Sequence, residues 1–430
     1  MIPIISADAI SDEITALHKA SSPQVDTELI QRVAEMGTSI RMQGDDALIA
    51  FTHQFESTEI AVETLRVSPS EVTQAHSQVS ADFVAAIKQA IENVKWFHQQ
   101  QVPANWDGTS PAGVKMGFRY TPIASVGLYV PGGRAIYPSS VVMNAVPAVL
   151  AGVKRVAMVS PARPDGTLAP EVIVAADLCG ISEIYKIGGA QAVFALAYGT
   201  PSVLKVDKIV GPGNKYVTLA KQQVLGTVAI DKPAGPSEVV VYLESEDEAR
   251  FAAADMLAQL EHDPDAVAVA ISSSRPALDA VNRQFSILLA DCHRKEIIEK
   301  SRRNARLFHV KSIGDAIGAL NQLASEHVVI MGANPATTCA QVQNGGAFFL
   351  GPYSPVTVGD YIAGTNHVLP TAGAARFSSP LGVHDFLKSS SVVQYSKDQL
   401  AAVRAPIATL TQVEGLDAHQ LNVEVRFEAL

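Results

Sequence analysis

The stretch Ile123-Ala-Ser-Val-Gly-Leu-Tyr-Val-Pro-Gly-Gly-Arg134 joins a short apolar run to an abrupt Gly-rich turn. A run this short, bounded by turn residues, reads as a buried strand. The same texture recurs downstream. Arg155 to Ser160, Glu183 to Ile187 and Val206 to Val210 read as further short strands, and the turns Ile187-Gly-Gly-Ala-Gln191 and Val210-Gly-Pro-Gly-Asn214 follow directly on two of them. A fourth turn, Pro233-Ala-Gly-Pro-Ser237, comes shortly after the apolar Val228-Ala-Ile230. Alternation of strand, turn and helix is the pattern of a parallel sheet covered by helices, whose ligands bind outside the carboxyl ends of the strands. Glycine lets backbone approach a phosphate or ribose, and a following helix offers free N–H groups. Tight strand-to-helix turns need Gly and Pro whatever they bind, but four within one sheet point to a ligand. No G-x-G-x-x-G and no G-x-x-x-x-G-K-[ST] is present, so any dinucleotide binds through another set of turns.

A second alternation begins beyond Glu238. Val239 to Leu243 reads as a strand, and Ser245-Glu-Asp-Glu248 is a capping box opening a helix that ends at Asp263-Pro264. Val267 to Ser272 and Val328 to Met331 continue as strands, with helices such as Ile313 to Ala324 between them. Upstream, the first ~110 residues carry helical spacing, as in Thr27 to Met36, Asp45 to Thr52 and Ala81 to His98. His18, His53, His76 and His98 are singletons there, expected to be surface or structural residues. Past Ser389 come a short strand, Val392 to Tyr395, a helix, Lys397 to Glu414, and a polar-apolar alternation from Val423 to Phe427. This tail of about 45 residues is too small to hold its own core and should pack on something larger.

At 430 residues the chain exceeds what one hydrophobic core usually serves, so two or more domains are expected. A net charge of −10 without clustered Lys and Arg argues against nucleic acid as a partner. The 3 cysteines, Cys179, Cys292 and Cys339, form no C-x-x-C pair, so neither a disulfide framework nor a zinc finger is indicated. The start, Met1-Ile-Pro-Ile-Ile-Ser-Ala-Asp8, has no basic segment and no long apolar run occurs, so a cytoplasmic, membrane-free protein is expected.

Four polar clusters carry candidate chemistry: Gln259-Leu-Glu-His262, Glu326-His327, Gly359-Asp360-Tyr361 ahead of Asn366-His367, and Ala418-His419. Gln259 and His262, three apart at the end of the helix opened by Ser245, can turn an amide oxygen and an imidazole nitrogen toward one cation. With Asp360 and His419 they make a set of N and O donors that suits Zn²⁺. Adjacent Glu326 and His327 suit stepwise proton removal. There is no H-E-x-x-H, which disfavours a zincin peptidase.

The order and wording of these segments closely resemble histidinol dehydrogenase, a zinc- and NAD-dependent family, over roughly Asp26 to Arg426. The most specific stretches are Gly127-Leu-Tyr-Val-Pro-Gly-Gly-Arg134, Gly188-Gly-Ala-Gln-Ala192, Val206-Asp-Lys-Ile-Val-Gly-Pro-Gly-Asn214 and Ala234-Gly-Pro-Ser-Glu238. Gln259-Leu-Glu-His-Asp-Pro264, Gly359-Asp-Tyr-Ile-Ala-Gly-Thr-Asn-His-Val-Leu-Pro370 and Leu416-Asp-Ala-His419 complete them.

The resemblance implies an α/β fold of two incomplete Rossmann-like domains with parallel sheets. It implies an N-terminal helical arm over 1–25, a first domain over 26–128 and 238–380 with the zinc and catalytic residues, and a second over 129–237 with the NAD turns. A C-terminal dimerisation tail over 381–430 would embrace the partner of a homodimer and complete its site. By the same resemblance, Gln259, His262, Asp360 and His419 hold one zinc per subunit and also contact substrate. Tyr129, Gln191 and Asn214 contact NAD, Ser237, His327 and Glu414 contact substrate, and Glu326 and His327 transfer protons. The implied reaction takes L-histidinol to L-histidine through L-histidinaldehyde, with two NAD and one water, as the last step of histidine biosynthesis.

Ser325, where many relatives carry Pro, and Lys232, where an apolar residue is common, depart from the family wording; neither is a mapped ligand. A paralogous zinc and NAD dehydrogenase of another polyol, such as a sulfonated propanediol, is the nearest alternative. Glu414 and Ala375-Arg-Phe-Ser-Ser-Pro-Leu381 look like the histidinol branch instead. A zinc amidohydrolase is the alternative of another class, and it would have no use for dinucleotide turns.

Overall fold

The computed structural model describes residues 1–21, 26–56, 59–132, 136–232 and 235–428. Gly133 and Arg134 of the first Gly-rich turn, Pro233 and Ala234 of the last, and residues 22–25 of the expected N-terminal arm lie outside the described residues. The strands are β1 (Ile4–Ser6), β2 (Trp106–Thr109), β3 (Lys115–Pro122), β4 (Ser125–Tyr129), β5 (Arg155–Val159), β6 (Glu183–Tyr185) and β7 (Lys208–Val210). They continue as β8 (Ala229–Ile230), β9 (Glu238–Tyr242), β10 (Val267–Ser272), β11 (Ala305–His309), β12 (His327–Ile330), β13 (Ala347–Leu350) and β14 (Leu387–Gln394).

The chain divides into two units, one of Met1–Gln101 with Ile123–Phe386 and a smaller one of Val102–Pro122 with Leu387–Leu430. The larger unit holds two sheets. One is 5-stranded, in the order β6-β5-β4-β7-β8, and its pairings are parallel. Its strand order runs outward in both directions from its first strand, β4, and so reverses between β4 and β7, the place where doubly wound sheets open a crevice. The other sheet is 6-stranded, ordered β1-β11-β10-β9-β12-β13, also parallel, and reverses between β9 and β12 in the same way.

Burial on both faces explains the continuous apolar strands, such as Val267–Ser272, which is buried at every position. The helices Thr27–Gln43 and Asp45–Glu56 place Leu29, Val33, Ile40 and Leu48 in the core that also takes Tyr129 of the 5-stranded sheet, Ile187 of the turn after β6 and Phe194 of the helix Gly189–Tyr198. Asp26 caps the first of them by accepting from Leu29 N at 3.0 Å. Ile4–Ser6, at the head of the expected helical arm, instead forms the edge strand beside Leu307–His309, as its run of β-favouring isoleucines allows.

The smaller unit is a 3-stranded antiparallel sheet, β14-β3-β2, with the helices Lys397–Glu414 and Asp417–Glu424. The hairpin β2–β3 was not legible in the sequence, and β14 extends further than the expected Val392 to Tyr395. The alternation at Val423 to Phe427 is not a strand, because Val423 ends up buried on a helix. Few apolar residues of this unit are buried, while Trp106, Phe118, Val393, Leu410, Val413 and Leu421 are exposed. Among the described residues no helix is long and apolar enough to cross a membrane.

Candidate functional site

At the carboxyl end of the 6-stranded sheet, backbone N–H groups after β12 are taken by the chain's own carboxylates from beyond β9. Glu248 accepts from Gly332 N at 2.7 Å and Glu244 from Ala333 N at 3.1 Å. The candidate catalytic residues gather at the opposite end, where the strands begin. His327 is the first residue of β12 and lies beside Val239 of β9 and Ala347 of β13. The expected strand started one residue later, with His327 on the loop before it. Glu326 precedes it in the chain, and Gly346 crosses so closely that a Cβ there would sit 2.5 Å from the Glu326 carbonyl.

The hydrogen bonds set the roles of the His327 ring nitrogens. Nδ1 lies 3.0 Å from the Glu238 carbonyl oxygen, which only accepts, so Nδ1 carries the hydrogen and donates it. Nε2 is buried without a hydrogen-bond partner, and its nearest carboxylate is Asp360 Oδ1 at 3.7 Å. Burial alone would lower this imidazole, but the charges of Glu326 and Asp360 and the Glu238 carbonyl outweigh it and raise the pKa to about 9. Glu326 is itself pushed up, by burial first, although it accepts from Glu238 N at 2.9 Å and from the Ser237 hydroxyl.

Glu238 is a residue that sequence reading missed. Burial and then the neighbouring Glu326 raise its carboxyl to about 8, while its Oε1 accepts from Ala372 N at 3.1 Å. Its signal was a single acid heading the otherwise apolar Glu-Val-Val-Val-Tyr242 strand.

The metal candidates come from elements that return to the same edge. The helix Ala249–Leu260 runs back from the carboxyl end of β9 and delivers Gln259 in its last turn. The helix stops at Leu260, so His262 stands beyond its end on the following turn, with its N–H on the Gln259 carbonyl at 3.2 Å. After β13, the helix Val356–Tyr361 delivers Asp360. Asp255, on the same helix as Gln259, accepts from Val356 N and so ties the two helices together; burial raises its carboxyl to about 6.

Burial would raise Asp360, but the close approach and charge of His327, with the charges of His367 and His262, hold it below the usual carboxylate range. His262 is exposed in this single chain, yet its surroundings lower its pKa, by burial first. His367 is a brace for this loop: Nδ1 lies 2.9 Å from the Asp360 carbonyl and Nε2 3.1 Å from the Ser140 hydroxyl. Asn366 is occupied structurally, donating to Met143 O at 2.7 Å and accepting from Val368 N at 2.9 Å.

These residues fit a borderline cation. Gln259 is 2% exposed and its amide nitrogen has no hydrogen-bond partner, so no protein contact of that nitrogen fixes which end of the buried amide is turned outward; the oxygen is the end that would ligate a cation. An amide, an imidazole and a carboxylate are ligand types that Zn²⁺ accepts. Among the described residues no three His, Cys, Asp or Glu side chains cluster as a metal site, so His262, Asp360 and His419 are not brought together within one chain. Glu414 and His419 belong to the smaller unit, where both are exposed: Glu414 ends the helix Lys397–Glu414, and His419 lies in Asp417–Glu424.

The dinucleotide candidates lie at the carboxyl end of the 5-stranded sheet. Gly211, at φ 114°, follows β7 and presses against Tyr129 at the end of β4, where a Cβ would collide with the Tyr129 carbonyl. Tyr129 is buried and its hydroxyl accepts from Gly189 N at 3.1 Å. Asn214 caps the helix Lys215–Val224, with Oδ1 accepting from Tyr216 N and Val217 N, which leaves its amide nitrogen to donate outward. Gln191 is buried in the first turn of Gly189–Tyr198. Buried backbone-lined turns with amide and phenol groups at a strand-order reversal fit a dinucleotide.

Of the two departures from family wording, Ser325 is buried with its carbonyl accepting from Gly346 N at 3.0 Å. Lys232 is buried and donates to the carbonyls of Val368, at 3.3 Å, and Ser379.

Known proteins are similar to this chain in sequence and in fold. The histidinol dehydrogenase family model matches residues 19–427. A histidinol dehydrogenase of Synechococcus sp. is 45% identical over 399 residues, 93% of this chain and 92% of the relative. One from Halalkalibacterium halodurans is 45% identical over 390 residues, 90% of this chain and 92% of the relative. The crystal structure of histidinol dehydrogenase from Elizabethkingia anophelis superimposes with a TM-score of 0.93 at 33% identity, covering 99% of this chain and 98% of that one.

Proposed function

Because this chain belongs to the histidinol dehydrogenase family, we propose that the residues at the amino end of the 6-stranded sheet carry out both oxidations of L-histidinol to L-histidine. The activity is that of an NAD-dependent oxidoreductase of amino-acid biosynthesis. The observation that carries the residue assignment is the unpartnered Nε2 of His327, held in its tautomer by the Glu238 carbonyl.

Nε2 accepts the hydroxyl proton of the substrate as hydride leaves the carbinol carbon for NAD. The aldehyde stays in place, and Glu326, buried and raised, takes a proton from water as it adds to the carbonyl. The carbonyl oxygen takes the first proton back from His327 as the hydrate forms, so the imidazole is neutral again and accepts a proton from the hydrate as the second hydride departs. Ser237, hydrogen-bonded to Glu326, lines the substrate side. Gln259, His262 and Asp360 would hold zinc together with His419; when bound, the ion supplies a Lewis-acid anchor for the substrate's nitrogen atoms. Asp360 would pull less on His327 when serving as a ligand, which would favour the neutral imidazole that a base requires. Tyr129, Gln191 and Asn214 would hold NAD at the 5-stranded sheet. Retaining the aldehyde between the two steps keeps a reactive intermediate from solvent.

The domain division belongs to the same reading, with 129–237 as the NAD domain and 238–380 as the zinc and catalytic domain. The expected 26–128 does not go with the latter as a whole: β4 begins at Ser125 in the 5-stranded sheet, the helices Thr27–Gln43 and Asp45–Glu56 share that sheet's core, and Val102–Pro122 belongs to the smaller unit. The smaller unit, Val102–Pro122 with Leu387–Leu430, holds most of the proposed dimerisation tail, 381–430. Its exposed Trp106, Phe118, Leu410 and Val413 leave apolar surface that a second copy of the chain would cover, and Glu414 and His419 then serve the partner's site. A cytoplasmic location goes with this reading.

The deciding assay follows NADH with L-histidinol as substrate. Two NADH per histidinol, abolished by chelation and restored by zinc, is the expected result. No turnover of histidinol beside turnover of a sulfonated propanediol would move the chain to the polyol branch.

A further inference from the structure

Glu56 ends the helix Asp45–Glu56, far in sequence from the Gly-rich turns, yet its carboxylate sits among them. Oε1 accepts from Gly188 N at 2.8 Å and from Gln191 Nε2 at 2.8 Å, and Oε2 accepts from Ala162 N at 3.3 Å. One carboxylate thus joins the turn after β5, the turn after β6 and the first turn of the helix Gly189–Tyr198. The next N–H, that of Gly189, goes to the Tyr129 hydroxyl at 3.1 Å. The first two N–H groups of that turn are therefore taken by side chains, and a carboxylate stands where a doubly wound fold often seats a phosphate.

The consequence falls on Gln191. An amide side chain can point either end at a ligand, and its neighbours decide which. An ionised carboxylate only accepts, so Glu56 claims the amide nitrogen and leaves the Gln191 carbonyl oxygen as the atom a cofactor meets. We propose that Glu56 is a positioning residue for the dinucleotide: it fixes the polarity of Gln191, so that this buried amide reads a hydrogen-bond donor of NAD, a hydroxyl or amino group, and not a phosphate. The inference rests on the placement of NAD at the 5-stranded sheet given above.

The test is a double-mutant cycle on the zinc-loaded enzyme, with the NAD dissociation constant read by calorimetry well above pH 7, where Glu56, raised by burial to about 7, is ionised. Glu56→Ala and Gln191→Ala should each weaken NAD roughly tenfold. Because Glu56 acts through Gln191, the double variant should be no weaker than either single. Affinity for histidinol alone should stay at the wild-type value. Additive losses in the double variant, or wild-type affinity in Glu56→Ala beside a weakened Gln191→Ala, overturn the proposal. Wild-type affinity in Gln191→Ala would instead remove the placement of NAD on which it rests. If Glu56→Ala does not fold, Glu56→Gln carries the test. It keeps an acceptor oxygen for Gly188 and Gln191, so affinity near wild type supports the proposal, and a loss as large as that of Gln191→Ala overturns it.

Discussion

Glu56→Gln should stabilise the protein at alkaline pH and do nothing for it in acid. Burial raises the Glu56 carboxyl from 4.5 to about 7, against the pull of its three hydrogen bonds, so its ionised form is disfavoured in the folded state. Below pH 4.5 both folded and unfolded chains hold the proton and the residue costs nothing. Between 4.5 and about 7 the folded chain keeps a proton that the unfolded chain has lost, so stability falls as pH rises. Above about 7 both are ionised and the cost is complete, on the order of 3 kcal/mol for a shift of this size.

Glutamine carries no charge to bury and retains an oxygen that can accept from Gly188 and Gln191. Thermal melts at fixed protomer concentration, at about pH 5 and about pH 8.5, should therefore diverge, with the variant ahead by roughly 5 °C in the alkaline sample and by little in the acid one. Equal melting points at the two pH values, or a variant that melts earlier at both, would refute the reasoning.

His327→Asn should slow turnover by roughly a hundred- to ten-thousandfold while bound zinc, counted by metal analysis, stays at the wild-type level; unchanged turnover would remove His327 as the base. Leu410→Arg places a charge on a residue 62% exposed in the single chain, so it should leave the melting of the isolated chain alone but shift sedimentation toward monomer and lower activity. An intact, fully active dimer would exclude this face as the interface.

Local pattern was enough for much of the fold. Val267–Ser272 and Lys397–Glu414 lie where the sequence reading placed them, because a continuous apolar run and a serine-capped amphipathic stretch each carry their bounds within themselves. The hairpin of Trp106–Thr109 with Lys115–Pro122 did not announce itself. Its strands are largely exposed, and Lys115–Pro122 pairs with Leu387–Gln394, about which a local window holds no information. His262 was expected within the last helical turn and stands beyond it, since helix ends depend on capping and on what the next segment packs against.

The donor types of the candidate site, Gln259, His262, Asp360, Glu326 and His327, were legible because their chemistry is a property of each residue and their order matches a family. Which end of each sheet they occupy was not. Only the tertiary structure occupies backbone N–H groups at the carboxyl end of the 6-stranded sheet with Glu244 and Glu248, and gathers the candidate residues at the amino end, where Glu238 and His327 begin adjacent strands. The same holds for Glu238 and Glu56. Their roles come from burial and from hydrogen bonds to residues 89 and 132 to 135 positions away. Residue type and periodicity are written along the chain. Desolvation, tautomer and amide polarity arise only when distant segments are brought together and water is removed.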